Sequence, residues 1–327
     1  MVMAQSLFID IKARTPDCQI DVLAPAWTSA LIDRMPQVSE LHSTEFKHGK
    51  LSLRERFSLG KQLRTIAYTN AIVLPNSFKS ALVPAIAKIP TRTGFVGEQR
   101  WGLLNDIRKL DKDSLAMTVQ RFVALGLPAQ TAPPDLRSLP TPQLEVTPKQ
   151  VSEALDKNDL NSSKPVLVLC PGAEFGASKQ WPDEHYAVLA NHYLEQDWQV
   201  WLLGSDNDQA ICSTINNRCQ QKCQMLAGKT TLPEAIDLIS CAKLVVSNDS
   251  GLMHIAAALK IPLVAIYGST DPSHTPPLSD NHVIARLSLE CSPCFKRECP
   301  LQHLNCLRQL MPTQVINLAE QQLLESK

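Results

Sequence analysis

Short runs of valine, leucine and isoleucine alternate along this chain with longer stretches in which apolar residues recur at helical spacing. The clearest instance is residues 242–276, AKLVVSNDSGLMHIAAALKIPLVAIYGSTDPSHTP. Two apolar runs, Lys243–Ser247 and Pro262–Tyr267, flank a helical stretch that starts near Ser250. Runs this short and β-branched, punctuated by Asn-Asp-Ser-Gly and Gly-Ser-Thr-Asp-Pro, predict one βαβ unit with buried strands. The same alternation predicts strands at Pro165–Cys170, Gln199–Leu203 and Cys223–Ala227. The intervening helices are expected at Val151–Lys157, Asp183–Gln196, Ala210–Gln220 and Leu232–Cys241, and an amphipathic helix, Thr313–Leu324, closes the chain.

The first half is patterned less regularly. Met3, Leu7, Phe8 and Ile11 share one helical face, and a strand is expected at Gln19–Ala24. Helical patterning returns at Leu51–Tyr68, Pro75–Lys88 and Leu115–Leu125, with strands at Ala71–Leu74 and Thr93–Val96. A doubly wound domain ordinarily opens on a strand and a ligand-binding turn, whereas here the helix comes first. Residues 128–148 carry six prolines and predict an extended linker, which places the domain boundary near residue 146. The expected architecture is therefore α/β, with two Rossmann-like domains, 1–146 and 147–327, facing across a cleft.

Composition narrows the function. The 327 residues carry 32 basic and 32 acidic side chains, so no broad positive field exists for nucleic acid. The longest apolar stretch, His254–Tyr267, is broken by Lys260 and Pro262 and is too short to span a bilayer. The first residues include Asp10 and lack the order of a signal peptide, and ten scattered cysteines suit a reducing compartment. A cytoplasmic protein is expected.

The candidate chemistry sits in turns that follow strands. Backbone N–H groups near Ser250, Gly251 and Leu252 open a helix and suit a diphosphate, although Asp-Ser-Gly is also an ordinary helix cap. PGAEFGASKQWP, residues 171–182, supplies two glycines and Lys179, a cation suited to charge on a leaving group. A lone lysine in a loop is more often a solvated charge. Asp206 and Asp208 follow a strand, where a carboxylate either accepts from ribose hydroxyls or caps the next helix. His254 lies one turn inside its helix and reads as a supporting histidine. In the first domain, Lys79, Lys88, Arg92, Arg100, Arg108 and Lys109 surround Asn76, Ser77 and Ser80, a local concentration of cations suited to a phosphorylated acceptor. Cys291-x2-Cys294-x4-Cys299-x6-Cys306 has a zinc-like first pair, but the spacing does not repeat, and free thiols packing a loop are expected.

Taken together, PNSFKSAL, RTGFVGEQR, LLNDIRKLDK, PGAEFGASKQWP, SNDSGLMHIAAAL and YGSTDPSHTPPLS resemble the bacterial ADP-heptose:lipopolysaccharide heptosyltransferases along essentially the whole chain. The tail CSPCFKRECPLQHLNCL resembles the heptosyltransferase II branch rather than the I branch. The resemblance implies a two-domain glycosyltransferase-B fold and inverting, metal-independent heptose transfer from ADP-heptose to heptosyl-Kdo–lipid A. It needs no cofactor and is carried out by a monomer that transiently meets the inner face of the inner membrane. It implies donor contacts at Gly172, Ser178, Lys179, Asp208, Asp249, Ser250, Gly251, Leu252 and His254, with Lys179 and Asp249 catalytic. Acceptor contacts are implied at Asn76, Ser77, Lys79 and Arg100. The family's first strand and Gly-Asp turn, whose aspartate is thought to be the general base, would lie upstream of Met1. The chain as written is accordingly expected to fold its first domain poorly and to transfer little. A sugar-nucleotide 2-epimerase, which needs no acceptor, and a protein that binds ADP-heptose without transfer are the alternatives.

Overall fold

The computed structural model describes residues 1–46, 49–135 and 138–326. The chain separates into two units, Met3–Pro140 and the part from Thr141 onward. That break falls inside the proline-rich stretch, earlier than the expected residue 146, and residues 136 and 137 of the stretch lie outside the described residues.

The first unit runs α1 (Gln5–Arg14), β1 (Asp21–Pro25), α2 (Ser29–Ile32), β2 (Glu40–Thr44), α3 (Leu53–Arg64), β3 (Asn70–Ile72), α4 (Leu82–Ile86), β4 (Thr91–Phe95), β5 (Asp106–Arg108) and α5 (Thr118–Gly126). Its strands are all parallel and form two sheets, β1–β2 and β3–β4–β5. Strands β2 and β5 went unforeseen because ELHST and DIR contain no apolar run, and neither strand is buried along its length. The expected apolar stripe on α1 is also incomplete. Gln5 and Ser6 are buried beside Leu7 and Phe8, while Met3 and Ile11 are only half-buried. Among the described residues its core includes small clusters centred on Leu63 and Val83, on Val73 and Leu104, and on Phe95 and Leu125.

The second unit runs α6 (Pro148–Lys157), β6 (Val166–Cys170), α7 (Asp183–Leu194), β7 (Gln199–Leu202), α8 (Gln209–Arg218), β8 (Gln224–Met225), α9 (Leu232–Ser240), β9 (Leu244–Asn248), α10 (Gly251–Ala258), β10 (Leu263–Ile266), β11 (His282–Ala285), α11 (Asn305–Arg308) and α12 (Pro312–Glu325). All six strands are parallel in one sheet, ordered β11-β10-β9-β6-β7-β8. Helices cover both faces of such a sheet, so its inner strands must be apolar throughout. Every residue of β6, β9 and β10 is buried. From β6 the chain winds outward through β7 and β8, then returns to β9 on the other side of β6. The order therefore reverses between β6 and β9, and the turns leaving these two strands diverge and open a crevice.

Among the described residues, no helix is long and apolar enough to cross a membrane. In the first unit, α3 and α4 pack closely at Gly60, where a Cβ would lie 2.7 Å from Ile86 Cβ. Gly60→Ala should lower stability by about 1–3 kcal/mol through overpacking. Urea denaturation followed by circular dichroism checks this, and an unchanged midpoint would refute the close approach.

Candidate active site

Three turns meet at the strand ends of the second unit. The first leaves β6 as residues 171–180 and ends in a short 3-10 turn, Ala177–Lys179. The second, Asp249–Ser250, links β9 to α10, and the third, residues 268–271, leaves β10. The Lys179 Nζ ammonium reaches Asp249 Oδ2 at 2.5 Å, and Thr270 Oγ1 donates to the same oxygen at 2.6 Å. Lys179 is 14% exposed and Asp249 only 5%, so the pair is largely shielded from water, where charges act more strongly on one another. Lys179 Nζ also lies 5.0 Å from the centre of the Phe175 ring, a second attraction that aims the ammonium.

Asn248, the last residue of β9, holds this arrangement from beneath. Its side chain is fully buried. Its Nδ2 donates to Pro171 O at 2.7 Å, while its Oδ1 accepts from Trp181 N at 3.2 Å and from the Tyr186 hydroxyl at 3.0 Å. One carboxamide thus grips both ends of the Lys179 loop. Trp181 anchors the loop further, with its indole N–H donating to Leu310 O at 2.8 Å and its ring set edge-on to Tyr186. Sequence reasoning passed over Asn248 as one more turn residue. A polar residue closing a wholly apolar strand was the available signal, because a buried amide must find partners.

Ser250 makes no cap hydrogen bond to α10, and its hydroxyl instead lies 3.2 Å from Ser247 Oγ. The first N–H groups of an uncapped helix have no acceptor within the helix. A Cβ on Gly251 would meet nothing within 4 Å, so open space lies before these groups. Leu252 and His254 follow on the first turns of α10, both half-buried. The His254 ring sits among protein atoms even though part of the residue is exposed, and burial pushes its pKa down to about 4 against the opposing pull of Asp249. It is therefore neutral at pH 7. Burial also pushes the neighbouring Tyr267 phenol upward.

Ser178 is buried, with its hydroxyl 2.9 Å from that of Ser269, so it joins the first turn to the third. The Asp208 carboxylate reaches back to the start of its own 3-10 turn, Asp206–Asp208. Its Oδ2 accepts from both N and Oγ of Ser205 at 2.8 Å, and its carboxyl is seated so closely over Gly172 that a Cβ there would lie 2.3 Å from Asp208 Cγ. Gly172 is thus a glycine required by close approach.

In the first unit, the turn after β3 carries Asn76, which is exposed, with Ser77 and Lys79 half-buried behind it. Arg100 does not join them as a free cation. It is 2% exposed, and its guanidinium donates to Pro75 O at 2.6 Å, Phe95 O at 2.5 Å, Asn76 Oδ1 at 3.2 Å and Ser80 Oγ at 3.2 Å. A charge this enclosed is held by fixed acceptors, so Arg100 braces the turn that presents Asn76 and Ser77. Sequence position alone could not separate it from the exposed cations around it.

An uncapped helix start at the reversal point of a parallel sheet, beside a shielded lysine, is the kind of place at which α/β proteins hold phosphorylated ligands. A family model described as glycosyltransferase family 9 (heptosyltransferase) matches residues 56–305. The chain is 47% identical over 294 residues to lipopolysaccharide heptosyltransferase 2 of Escherichia coli strain K12, an alignment covering 88% of this chain and 84% of that protein. It is 48% identical over 294 residues to lipopolysaccharide heptosyltransferase 2 of Salmonella typhimurium, with the same coverage of each. The solved structure of the E. coli ADP-heptose LPS heptosyltransferase II matches with a TM-score of 0.87 at 42% identity, over 100% of this chain and 96% of that one. The chain belongs to glycosyltransferase family 9, and its fold is that family's two-domain glycosyltransferase-B fold.

Two outcomes follow from the site. Asn248→Ala leaves the Trp181 N–H and Pro171 carbonyl without partners and should cost about 2–4 kcal/mol, read as a lowered urea midpoint. A cost below about 1 kcal/mol would mean that the carboxamide does not hold the loop. His254 has a folded-state pKa below its unfolded value near 6.5, so protonation favours the unfolded chain. Its contribution is intact above pH 6.5 and is lost as pH falls toward 4. His254→Asn should flatten the stability profile in that window, and an unaltered profile would contradict a buried neutral ring.

Proposed function

We propose that this chain is a lipopolysaccharide heptosyltransferase that moves heptose from ADP-heptose to heptosyl-Kdo–lipid A with inversion at the anomeric carbon. The observation that carries the reading is the Lys179–Asp249 pair at 2.5 Å, beside the uncapped start of α10. In this reading the donor diphosphate lies against the N–H groups of Ser250, Gly251 and Leu252, where the helix dipole favours negative charge. Lys179 turns from Asp249 toward the diphosphate and neutralises the charge that grows on it as the bond to the anomeric carbon breaks. No resident cofactor enters the reaction. Asp249, freed of its partner but still bonded to Thr270, accepts from heptose hydroxyls.

The remaining donor residues have supporting roles. Ser178 and Gly172 shape the loop, Asp208 stiffens the neighbouring turn, and neutral His254 supports the start of α10. On the acceptor side we assign Asn76, Ser77 and Lys79 to contacts and Arg100 to bracing. The acceptor carries lipid chains, and no described helix spans a membrane, so the protein meets its substrate by visiting the membrane surface.

Incubation with both substrates should yield acceptor heavier by one heptose together with one equivalent of ADP. Consumption of ADP-heptose without acceptor would replace this reading with isomerisation, and binding without transfer would reduce it to binding alone. Lys179→Ala should lower kcat by about 10²–10³-fold, as loss of one transition-state charge contact does. The acceptor KM should change little, and a variant of normal kcat would remove Lys179 from the chemistry.

A further inference from the structure

The four cysteines between β11 and α12, expected to be ordinary packing thiols, surround one small cavity. Cys291, Cys294, Cys299 and Cys306 all line it, and Ser178 and Ser269 contribute to its wall. Its volume of about 20 Å³ accommodates one water-sized body. We infer that these four cysteines bind one thiophilic divalent metal ion, of which zinc is the prototype, and that the ion fastens the cysteine loop to the Lys179 loop.

The backbone after Cys299 turns sharply. Gln302 N donates to Cys299 O at 3.0 Å and closes a turn directly after the cysteine. Gln302 and Leu304 have positive φ, 59° and 52°. Alternation with left-handed residues is how successive N–H groups are gathered into a concavity that stabilises anions, including the sulfurs of metal centres. Cys306 is buried, and four thiolates gathered around one cavity repel one another. A cation among the sulfurs reverses that repulsion.

The donor set is sulfur alone. His303 also lines the cavity, but its Nδ1 accepts from Asn305 N at 2.9 Å, so the ring proton resides on Nε2 and neither nitrogen is free. Four thiolates select zinc or ferrous iron over magnesium or calcium. Among the described residues, the three potential ligand atoms already within 4.8 Å of one another are those of Asp21, Glu40 and His42. There the Tyr68 hydroxyl already bonds both Asp21 and His42, so the polar atoms satisfy one another. No three of the thiol sulfurs lie within that limit of one another, and closing on an ion takes rotation of their side chains within the cavity.

The same segment grips the site. Arg297 O accepts from Ser178 N at 3.2 Å, Phe295 N donates to Ser269 O at 2.7 Å, and Ser292 Oγ donates to Gly268 O at 2.7 Å. An ion held by Cys291 and Cys294 on one side and by Cys299 and Cys306 on the other encloses all three contacts.

The test uses the full chain, reduced, freed of metal by chelation and titrated anaerobically with Co²⁺ alone. One equivalent should produce the sulfur-to-cobalt charge-transfer and intense visible bands of a tetrahedral thiolate site, and one equivalent of Zn²⁺ should abolish them. Cys299→Ser and Cys306→Ser should lose the bands, while Cys212→Ser, in the core of the sheet, should keep them. Because Cys306→Ser can misfold, the unaltered chain is also alkylated with and without one equivalent of Zn²⁺. Protection confined to residues 291, 294, 299 and 306 supports the site. Absent bands with unchanged alkylation, or bands that survive Cys299→Ser, would overturn it.

Discussion

The second unit depends on one buried carboxamide. Asn248 ends the central strand β9 and bonds Pro171 O, Trp181 N and the Tyr186 hydroxyl at once. These groups belong to the two ends of the loop that carries Lys179, so the loop cannot shift without stranding a buried polar atom. A well-packed sheet alone would not impose this. Apolar contacts tolerate small displacements, whereas a saturated hydrogen-bond set inside a core does not.

On that base sits a charge pair whose worth lies in being exchangeable. Asp249 and Lys179 are shielded enough that neither is comfortable alone, yet both face the turn at the start of α10. An ion pair of this kind contributes little net stability, because removing the two charges from water offsets most of their attraction. What it supplies is readiness. The ammonium is shielded and aimed, so in the proposed reaction a diphosphate arriving at the helix start replaces a carboxylate instead of a shell of water.

A further layer lies behind the loop, where Ser178 and Ser269 join two turns and the segment from Ser292 to Arg297 binds both. The cysteines lie on this supporting side of Lys179. A metal ion there would act on catalysis only by fixing position. Residues that do not touch a substrate can still decide whether those that do are within reach of it.

How much of this was legible differs between the two units, for a physical reason. Strands buried on both faces must be apolar at every position, so VLVLC, LVVSN and LVAI announced the second unit's parallel sheet and the turns that follow its strands. Such turns open at the ligand end of the sheet, and it was the family resemblance that singled out Lys179 and Asp249 within them. Strands β2 and β5 stayed hidden because they are partly exposed and carry no such run, and β11, HVIA, because its run is only three residues long and half-buried at the sheet edge. The sequence by itself thus determined the alternation of strand and helix, the family and the turns that carry the chemistry, since these follow from local periodicity and contiguous motifs. Only the tertiary structure decided that Asp208 caps its own turn, that Arg100 is an internal brace and that Asn248 is the central tie. Those roles depend on which loop ends meet across strands far apart in the chain, and periodicity carries no record of such meetings.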